Sequence, residues 1–297
     1  MMIVYQCGIY TCIKSPVDWH LIDALAIITV IWIIATFIYK GIKQYKVFNY
    51  PQMYAMIPYP EWDNKLLGKS NVGAGRLIAG FFKTLFVDAL TMAVLGCEFG
   101  ESYAEIVRTK TVKRAAKLLI VWGFIFAGLS TIIAYITFPY NYIILNITNP
   151  ARILGMLGGL FIIIGAAIWL SVRYKEVNYK GVFDFIGADY LPVMVLLIGI
   201  SGFILQGAIL AYATYGTTLP VEAFLWTAIH FHAITVAAFF WLFFWTNADH
   251  IIYMFFWRTY YHAYEGLPNI TTKLPQETLH PLNRTGKEIQ GGYKYKK

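Results

Sequence analysis

The chain has 297 residues, of which 58% are hydrophobic, 18% aromatic and only 13% charged. Soluble domains carry about 25% charged residues, so this composition excludes an ordinary soluble domain and indicates an integral membrane protein. The formal net charge of +8 does not indicate nucleic-acid binding, because the basic residues flank apolar segments as they do in membrane proteins. The sequence has no phosphate-binding glycine loop, no dinucleotide fingerprint and no Ser-His-Asp order.

Five apolar segments are long enough to cross a bilayer as α-helices. A span needs about 20 mainly apolar residues, because the hydrocarbon layer is about 30 Å thick. The segments are residues 21–39, 118–138, 152–172, 190–213 and 224–246. They predict an all-α, five-helix integral membrane bundle that forms a single membrane domain over residues 1–262.

Two further segments differ in character from the spans. The stretch 76–98 is largely apolar but carries Lys83 and Asp88 in its interior. This pattern predicts an amphipathic helix at the membrane surface rather than a sixth span. Residues 263–297 are rich in polar residues, Pro and Gly, and are expected to form a polar cytoplasmic tail. The tail is either disordered beside anionic lipid or docked on a cytoplasmic partner subunit.

The distribution of basic residues predicts the orientation. If the N-terminus is outside, all but two of the 24 Lys and Arg residues lie on the inner side. The two exceptions are Lys14 and Arg152. Inner segments of membrane proteins carry the excess of positive charge. The sequence therefore predicts a multi-pass protein of the cytoplasmic membrane, with the N-terminus outside and the C-terminus inside.

The three cysteines do not form a metal-binding or iron–sulfur pattern. Cys7 and Cys12 lie together before the first span. They can form a disulfide if that end of the chain is in an oxidising compartment, and a free pair is equally compatible with the sequence.

The chemistry-bearing residues of the spans are mainly histidines near the C-terminus. On one continuous helix, His232 and His250 would share a face about 27 Å apart, because 18 residues make five turns. Neutral imidazole is an axial ligand of haem iron, so each histidine is a candidate haem ligand. The alternative is that both are ordinary histidines, one in the bundle and one at the interface. His20 and Met156 are candidate ligands on the opposite side of the His232 haem.

His230 is two residues from His232 and so points about 200° away around the helix. The two imidazoles therefore cannot converge on one metal. His230 is expected to bond a backbone carbonyl or a quinone oxygen, and Glu222 is a second candidate for the quinone site. The glycines of the LGMLGGL segment, residues 154–160, either pack helices closely or leave room for a porphyrin face, and close packing is the favoured interpretation.

The order of several segments resembles one family of membrane cytochromes b. The segments are GRLIAGFFKTLF (75–86), KRAAKLLIVWGFIFAGL (113–129), NPARILGMLGGLFIIIG (149–165), the Asp-x-x-Pro beginning of the fourth span with its GFILQGAIL end (202–210), and the histidine-bearing fifth span. The family includes the gamma subunit of respiratory nitrate reductase. It also includes the membrane subunits of heterodisulfide reductase and of the sulfite-reduction-associated electron-transfer complex. The resemblance covers roughly residues 21–262 and rests on the order of the segments.

The resemblance implies a five-helix bundle with one or two b-type haems, exchange of quinol or quinone, and electron transfer with a cytoplasmic iron–sulfur subunit. The two final-span histidines of the family match His232 and His250. Members usually carry a haem-ligating histidine in the second span, whereas this chain has none between residues 21 and 229. Lys117 stands about where that histidine is expected. It is a candidate ligand only if its amine is deprotonated, and otherwise a lysine that reaches the membrane surface.

The sequence thus predicts a membrane-anchoring b-type cytochrome subunit of a respiratory oxidoreductase. The subunit would itself be non-catalytic or react only with quinone. The alternative is a haem-free anchor that docks a partner and shapes a quinone site. A solute transporter is disfavoured, because no internal repeat or broken-helix pair is visible.

Overall fold

A computed structural model describes residues 4–7, 10–15, 17, 19–48, 73–91, 103–137, 142–144, 146–175, 185, 189–216, 218–246 and 250–264. The helices in these ranges are α1 (Trp19–Phe48), α2 (Ala74–Lys83), α3 (Tyr103–Thr137), α4 (Pro150–Lys175), α5 (Tyr190–Tyr215), α6 (Leu219–Phe243) and α7 (His250–Tyr264). A π-helical segment, Thr84–Ala89, continues α2. The three strands are β1 (Val4–Cys7), β2 (Tyr10–Lys14) and β3 (Tyr142–Ile144).

Five helices of the described chain are long and apolar enough to cross a membrane, which confirms the number of predicted spans. The candidate spans are Trp19–Lys43, Thr111–Thr137, Pro150–Lys175, Tyr190–Tyr215 and Leu219–Phe243. Each one overlaps a predicted segment and extends beyond it at one or both ends. Residues 76–91 of the predicted amphipathic helix 76–98 are helical, and 92–98 lie outside the described residues. The place of this helix at the membrane surface stays a prediction.

The chain divides into two compact units. Unit 1 comprises Met1–Tyr39 and Leu85–Tyr253, and unit 2 comprises Lys40–Thr84 and Met254–Lys297. Unit 1 contains α3 to α6 and the strands, together with most of the apolar part of α1. Unit 2 contains the end of α1, α2 and most of α7.

Glycines let α3 and α4 of unit 1 touch backbone to backbone. A Cβ atom on Gly158 would lie 2.7 Å from the carbonyl oxygen of Gly123, and one on Gly165 would lie 2.7 Å from that of Ala116. Gly158 and Gly165 are seven residues apart on α4, and Ala116 and Gly123 are seven apart on α3. Each of these pairs therefore lies on one face of its helix, two turns apart. Small residues drive helix association in membranes through close packing. The packing interpretation of the 154–160 segment is therefore confirmed for Gly158.

Two apolar clusters lie in the two halves of unit 1. One joins Ile162 of α4, Tyr190 and Val195 of α5 and Phe239 of α6. In this cluster the Tyr190 hydroxyl donates to the carbonyl of Phe239, and the two rings stack with centroids 6.2 Å apart. The other cluster packs the end of α5 against the start of α6 around Leu225, which is fully buried.

A small antiparallel sheet covers one end of the second cluster, in the order β1-β2-β3. The sheet is not predicted from the sequence, because strands of three to five residues are too short to show a clear alternation. Cys12 on β2 pairs with Ile144 on β3. It is buried and disulfide-bonded, and Cys7 lies on the neighbouring strand β1.

An ion pair joins the end of α4 to the start of α5. The Nε atom of Arg173 donates to the carboxylate of Asp189, and both side chains are buried. A buried charge is stable only when it is paired, so this contact fixes the connection between the two helices. The acidic residue of the Asp-x-x-Pro pattern is therefore a structural partner of Arg173.

One geometric prediction for the fifth span is wrong. His250 was expected just past the inner end of a span over 224–246 and on the same helical face as His232, but α6 ends at Phe243 and His250 begins the separate helix α7. The backbone N–H of Trp245 donates to the carbonyl of Leu242 at 2.9 Å, and the Thr246 hydroxyl donates to that of Phe243 at 3.2 Å. These bonds close the end of α6 with a tight turn. His232 and His250 therefore do not share the face of one helix.

Candidate functional site

His232 lies at the middle of the 25-residue helix α6, deeper than the sequence suggested. The predicted span began at residue 224, whereas the helix begins at Leu219. His232 Nδ1 lies 2.9 Å from the hydroxyl of Ser201, which is near the middle of α5 and fully buried. The pair links the centres of two spans. Polar side chains at such a depth are functional candidates, because their desolvation is costly.

The contacts of Ser201 indicate which nitrogen of His232 carries the proton. The Ser201 Oγ atom also lies 3.0 Å from the carbonyl oxygen of Ile198, which can only accept. A serine hydroxyl has one hydrogen, and if that hydrogen goes to Ile198, the hydroxyl oxygen accepts from Nδ1–H of His232. This assignment satisfies both contacts. It leaves the lone pair of His232 Nε2 available to a further partner.

Gly202 lies against the His232 ring. A Cβ atom at Gly202 would be 3.4 Å from His232 Cε1, at the near limit of ordinary contact. The Ser201–Gly202 pair thus supplies a hydrogen-bond partner and a close backbone contact for the imidazole. Sequence reasoning missed Ser201, and its only signal was a hydroxyl residue between two glycines at the middle of an apolar span.

His230 makes contacts within its own helix. Its Nδ1 atom donates to the carbonyl oxygen of Trp226 at 2.8 Å, and its ring lies over the indole with centroids 4.0 Å apart. The expectation of a backbone carbonyl partner is confirmed. The two histidines lie on different sides of α6, as their spacing predicted. His230 is half-buried, and the Trp226 side chain is 51% exposed.

Lys117 lies near the start of the second candidate span. Its Nζ atom is 5.5 Å from the centroid of the Trp169 ring on α4. A cation is attracted to the face of an indole ring, so this contact favours the charged ammonium form. Lys117 therefore has an explanation that needs no metal, and its role as a ligand stays a prediction.

The other predicted site residues lie near the starts of their helices. His20 is an exposed residue in the first turn of α1, Met156 lies in the second turn of α4 with 37% of its surface exposed, and Glu222 is in the first turn of α6. The described contacts of His232 are with α5 and include neither His20 nor Met156. The side chain of His250 lies outside the described residues.

A second polar link between α4 and α5 was also missed. The guanidinium of Arg152 donates to the Gln206 side-chain oxygen at 3.0 Å. Gln206 and Ser201 are five residues apart on α5, about 7.5 Å along the helix axis. Two polar contacts therefore lie at neighbouring levels of the same helix. The charge distribution predicted Arg152 on the outer side of the membrane. Its side chain points to Gln206 of α5, which is a candidate span.

A haem site stays a prediction, and the imidazole of His232 is the described donor with the contact such a ligand would need. A neutral imidazole whose Nδ1–H is held by a hydrogen bond is the usual form of a metal-binding histidine, because the bond fixes the tautomer and the ring orientation. His232 has a hydrogen-bond partner at Nδ1 that would hold the ring in this form if Nδ1 carries the proton. In the described part of the chain, no group of three or more His, Cys, Asp or Glu side chains is placed to hold a metal ion.

Comparisons with protein-family models, curated proteins and solved structures found no match to this chain.

Proposed function

We propose that the chain is a membrane subunit of a respiratory redox complex. In this proposal it passes electrons between the quinone pool and a cytoplasmic iron–sulfur subunit through b-type haem. The observation that carries the proposal is the Ser201–His232 pair, because it presents an imidazole lone pair at the centre of a membrane-spanning helix. A hydrogen-bonded pair serving only to join two helices would not require a titratable ring at that depth.

His232 would hold the haem through Nε2, and Ser201 would keep its ring in the required tautomer and orientation. A bound haem would supply one-electron chemistry at this level of the bilayer. His250 and Lys117 remain candidates for a second haem, and His20 and Met156 for the opposite ligand of the first. His230 and Glu222 are the candidates for contact with quinone, His230 because its ring lies beside the exposed Trp226.

The proposed orientation places the N-terminus outside and the C-terminus in the cytoplasm. It is supported by the basic residues of the inner segments. The disulfide of Cys12 supports it independently, because disulfides persist in oxidising compartments and not in the cytosol. The cytoplasmic side would then carry α2, α7 and the tail, where a partner subunit would dock.

A haem-free anchor is the second candidate function. The contact of Lys117 with Trp169 favours it, because this lysine stands where the resembling family has a haem ligand. Close packing of α3 on α4 through Gly123 and Gly158 also favours it. Such a subunit would dock its partner and shape a quinone site without holding haem.

A reduced-minus-oxidised absorption spectrum of membranes containing the assembled complex tests the proposal. We expect b-type bands for the wild type and their loss, in whole or in one component, for His232→Ala. Since the ring is part of a helix–helix contact, thermal unfolding of the variant should be measured in parallel. A fully assembled wild-type complex without b-type absorbance would establish the haem-free alternative.

A further inference from the structure

α6 carries a hydrogen-bond donor and an acceptor side by side. The Nδ1–H of His230 donates to the carbonyl oxygen of Trp226, which can only accept, so Nε2 of the neutral imidazole is left as an acceptor. The indole N–H of Trp226 is a donor only. Within the described part of the chain, neither Nε2 of His230 nor this N–H has a hydrogen-bond partner. Because the ring centroids are 4.0 Å apart, the donor and the acceptor lie at one level of the helix.

This pair lies at a depth where a bilayer would leave its polar groups unsatisfied. His230 is near the midpoint of α6, which is one of the five candidate spans. Because water is absent from the centre of a bilayer, polar side chains of spans face other protein groups or a water-filled cavity. Trp226 is 51% exposed and His230 is half-buried, so the chain leaves the pair uncovered on one side. A polar partner from outside the chain would satisfy both groups.

The same side of α6 allows a second helix to approach closely. Ala223 and Thr227 are exposed and four residues apart, which is the spacing of small residues that membrane helices use for close contact. Ile234, with 59% of its surface exposed, adds an apolar contact beyond them. At 100° per residue, all three lie within about 100° of Trp226 around the helix.

α1 limits the length of this exposed side. The indole N–H of Trp241 donates to the Thr29 hydroxyl of α1 at 3.1 Å, so α1 covers the inner end of the same side. The part that stays open runs from Ala223 to Ile234, about 16 Å of helix.

We propose that two copies of the chain pair through this open side of α6, about a two-fold axis parallel to the helix. Trp226 of each copy would donate to Nε2 of His230 in the other, so one donor–acceptor pair is used twice. A second copy is the occupant that the structure favours, because one side of one helix holds both halves of the contact at the same level. In this pairing His230 is occupied by protein, and Glu222 is the remaining candidate for contact with quinone. The pairing goes beyond the proposed electron transfer and does not depend on haem.

Disulfide cross-linking of the full-length chain in its own membranes tests the contact. A disulfide requires Cα atoms within about 7 Å, so Thr227→Cys should give cross-linked dimers that the wild type does not give. Thr214→Cys is the matched control and should give none. Thr214 is an exposed threonine of α5 whose hydroxyl donates to a carbonyl four residues earlier, as that of Thr227 does. Equal cross-linking of the two variants, or of neither, would overturn the proposal.

Variants of the donor and the acceptor test the chemistry of the interface. Trp226→Phe and His230→Phe each remove one partner from both symmetric contacts. Each should raise the dissociation constant of the dimer about 10-fold, measured by sedimentation equilibrium in detergent. The double variant should be no weaker than either single variant, because all three lack the same contact. If His230→Phe fails to fold, Trp226→Phe alone tests the contact, since it leaves the imidazole in place.

Trp122→Phe is the control for these variants, because it replaces another exposed tryptophan of a candidate span. It should leave the dissociation constant unchanged. A wild type that stays monomeric, or an equal loss in Trp122→Phe, would refute the pairing. An unchanged constant in Trp226→Phe would refute it as well.

Discussion

At the residue scale, the Ser201–His232 pair places a fully buried hydroxyl against a half-buried histidine. The Ser201 oxygen lies 2.9 Å from Nδ1 of His232 and 3.0 Å from the Ile198 carbonyl. If its one hydrogen goes to the carbonyl, the imidazole donates from Nδ1 and keeps Nε2 as an acceptor. A histidine prepared in this way is suited to a metal or a hydroxyl donor. The chemistry thus depends on a residue that carries no recognisable motif.

We expect Ser201→Ala to lower haem occupancy or activity about 10- to 100-fold, because the tautomer and orientation of His232 are then no longer held. The measurement is the b-type absorbance per assembled complex. Ser171→Ala is the matched control, since the Ser171 hydroxyl makes the same bond to a carbonyl three residues earlier but is exposed. If Ser201→Ala retained full absorbance with an unchanged reduction potential, Ser201 would have only a structural role.

At the element scale, glycine positions decide how closely the spans approach. Gly158 and Gly165 of α4 have no room for a side chain, because the backbone of α3 occupies that space. Gly128 of α3 and Gly207 of α5, by contrast, have nothing within 4 Å of a built Cβ. The composition of the spans does not separate these two classes. Only the packing of one helix on another does.

We expect Gly158→Ala to destabilise the protein by about 1–3 kcal/mol, because overpacking forces the helices apart. Gly128→Ala is the matched control. It should be neutral or stabilising by up to about 1 kcal/mol, because alanine favours a helix over glycine where there is room. Thermal unfolding in detergent measures both variants. Equal unfolding temperatures for the two would contradict the assigned α3–α4 contact.

At the scale of the whole molecule, the proposed orientation rests on the charge distribution and on the disulfide of Cys12. The basic residues favour a cytoplasmic C-terminus, and the disulfide of Cys12 favours an external N-terminus. The five candidate spans of the described residues are compatible with ends on opposite sides. These observations are mutually consistent, although each depends on a different physical property.

Reporter fusions to the chain test this orientation. Alkaline phosphatase, which folds only in an oxidising compartment, should be inactive when fused after Lys297 and active when fused after Gly216, between α5 and α6. Green fluorescent protein at the same two positions should give the opposite result. An active phosphatase after Lys297 would invert the proposed topology.

The number of spans and their approximate bounds followed from the sequence, because a length of about 20 apolar residues is a local property that a bilayer imposes on a helix. The spacing of His230 and His232 likewise predicted different sides of α6, since two residues turn a helix by about 200°. The sequence gives the positions of Gly158 and His232 in their helices, but it does not give the residues that surround them in the folded protein. The partner of each lies on another helix.

What only the tertiary structure decided were the contacts between segments far apart in the chain. It pairs Ser201 with His232 and Arg173 with Asp189, and it ends α6 before His250. The sequence did not reveal where α6 ends, because apolar residues continue to Trp245 and no Gly or Pro marks the turn. Hydrogen bonds of Trp245 and Thr246 close it instead. The sequence by itself determined a five-span membrane protein with a histidine-bearing final span. The structure decided which groups face that histidine, because hydrogen bonding and close packing depend on which helices become neighbours.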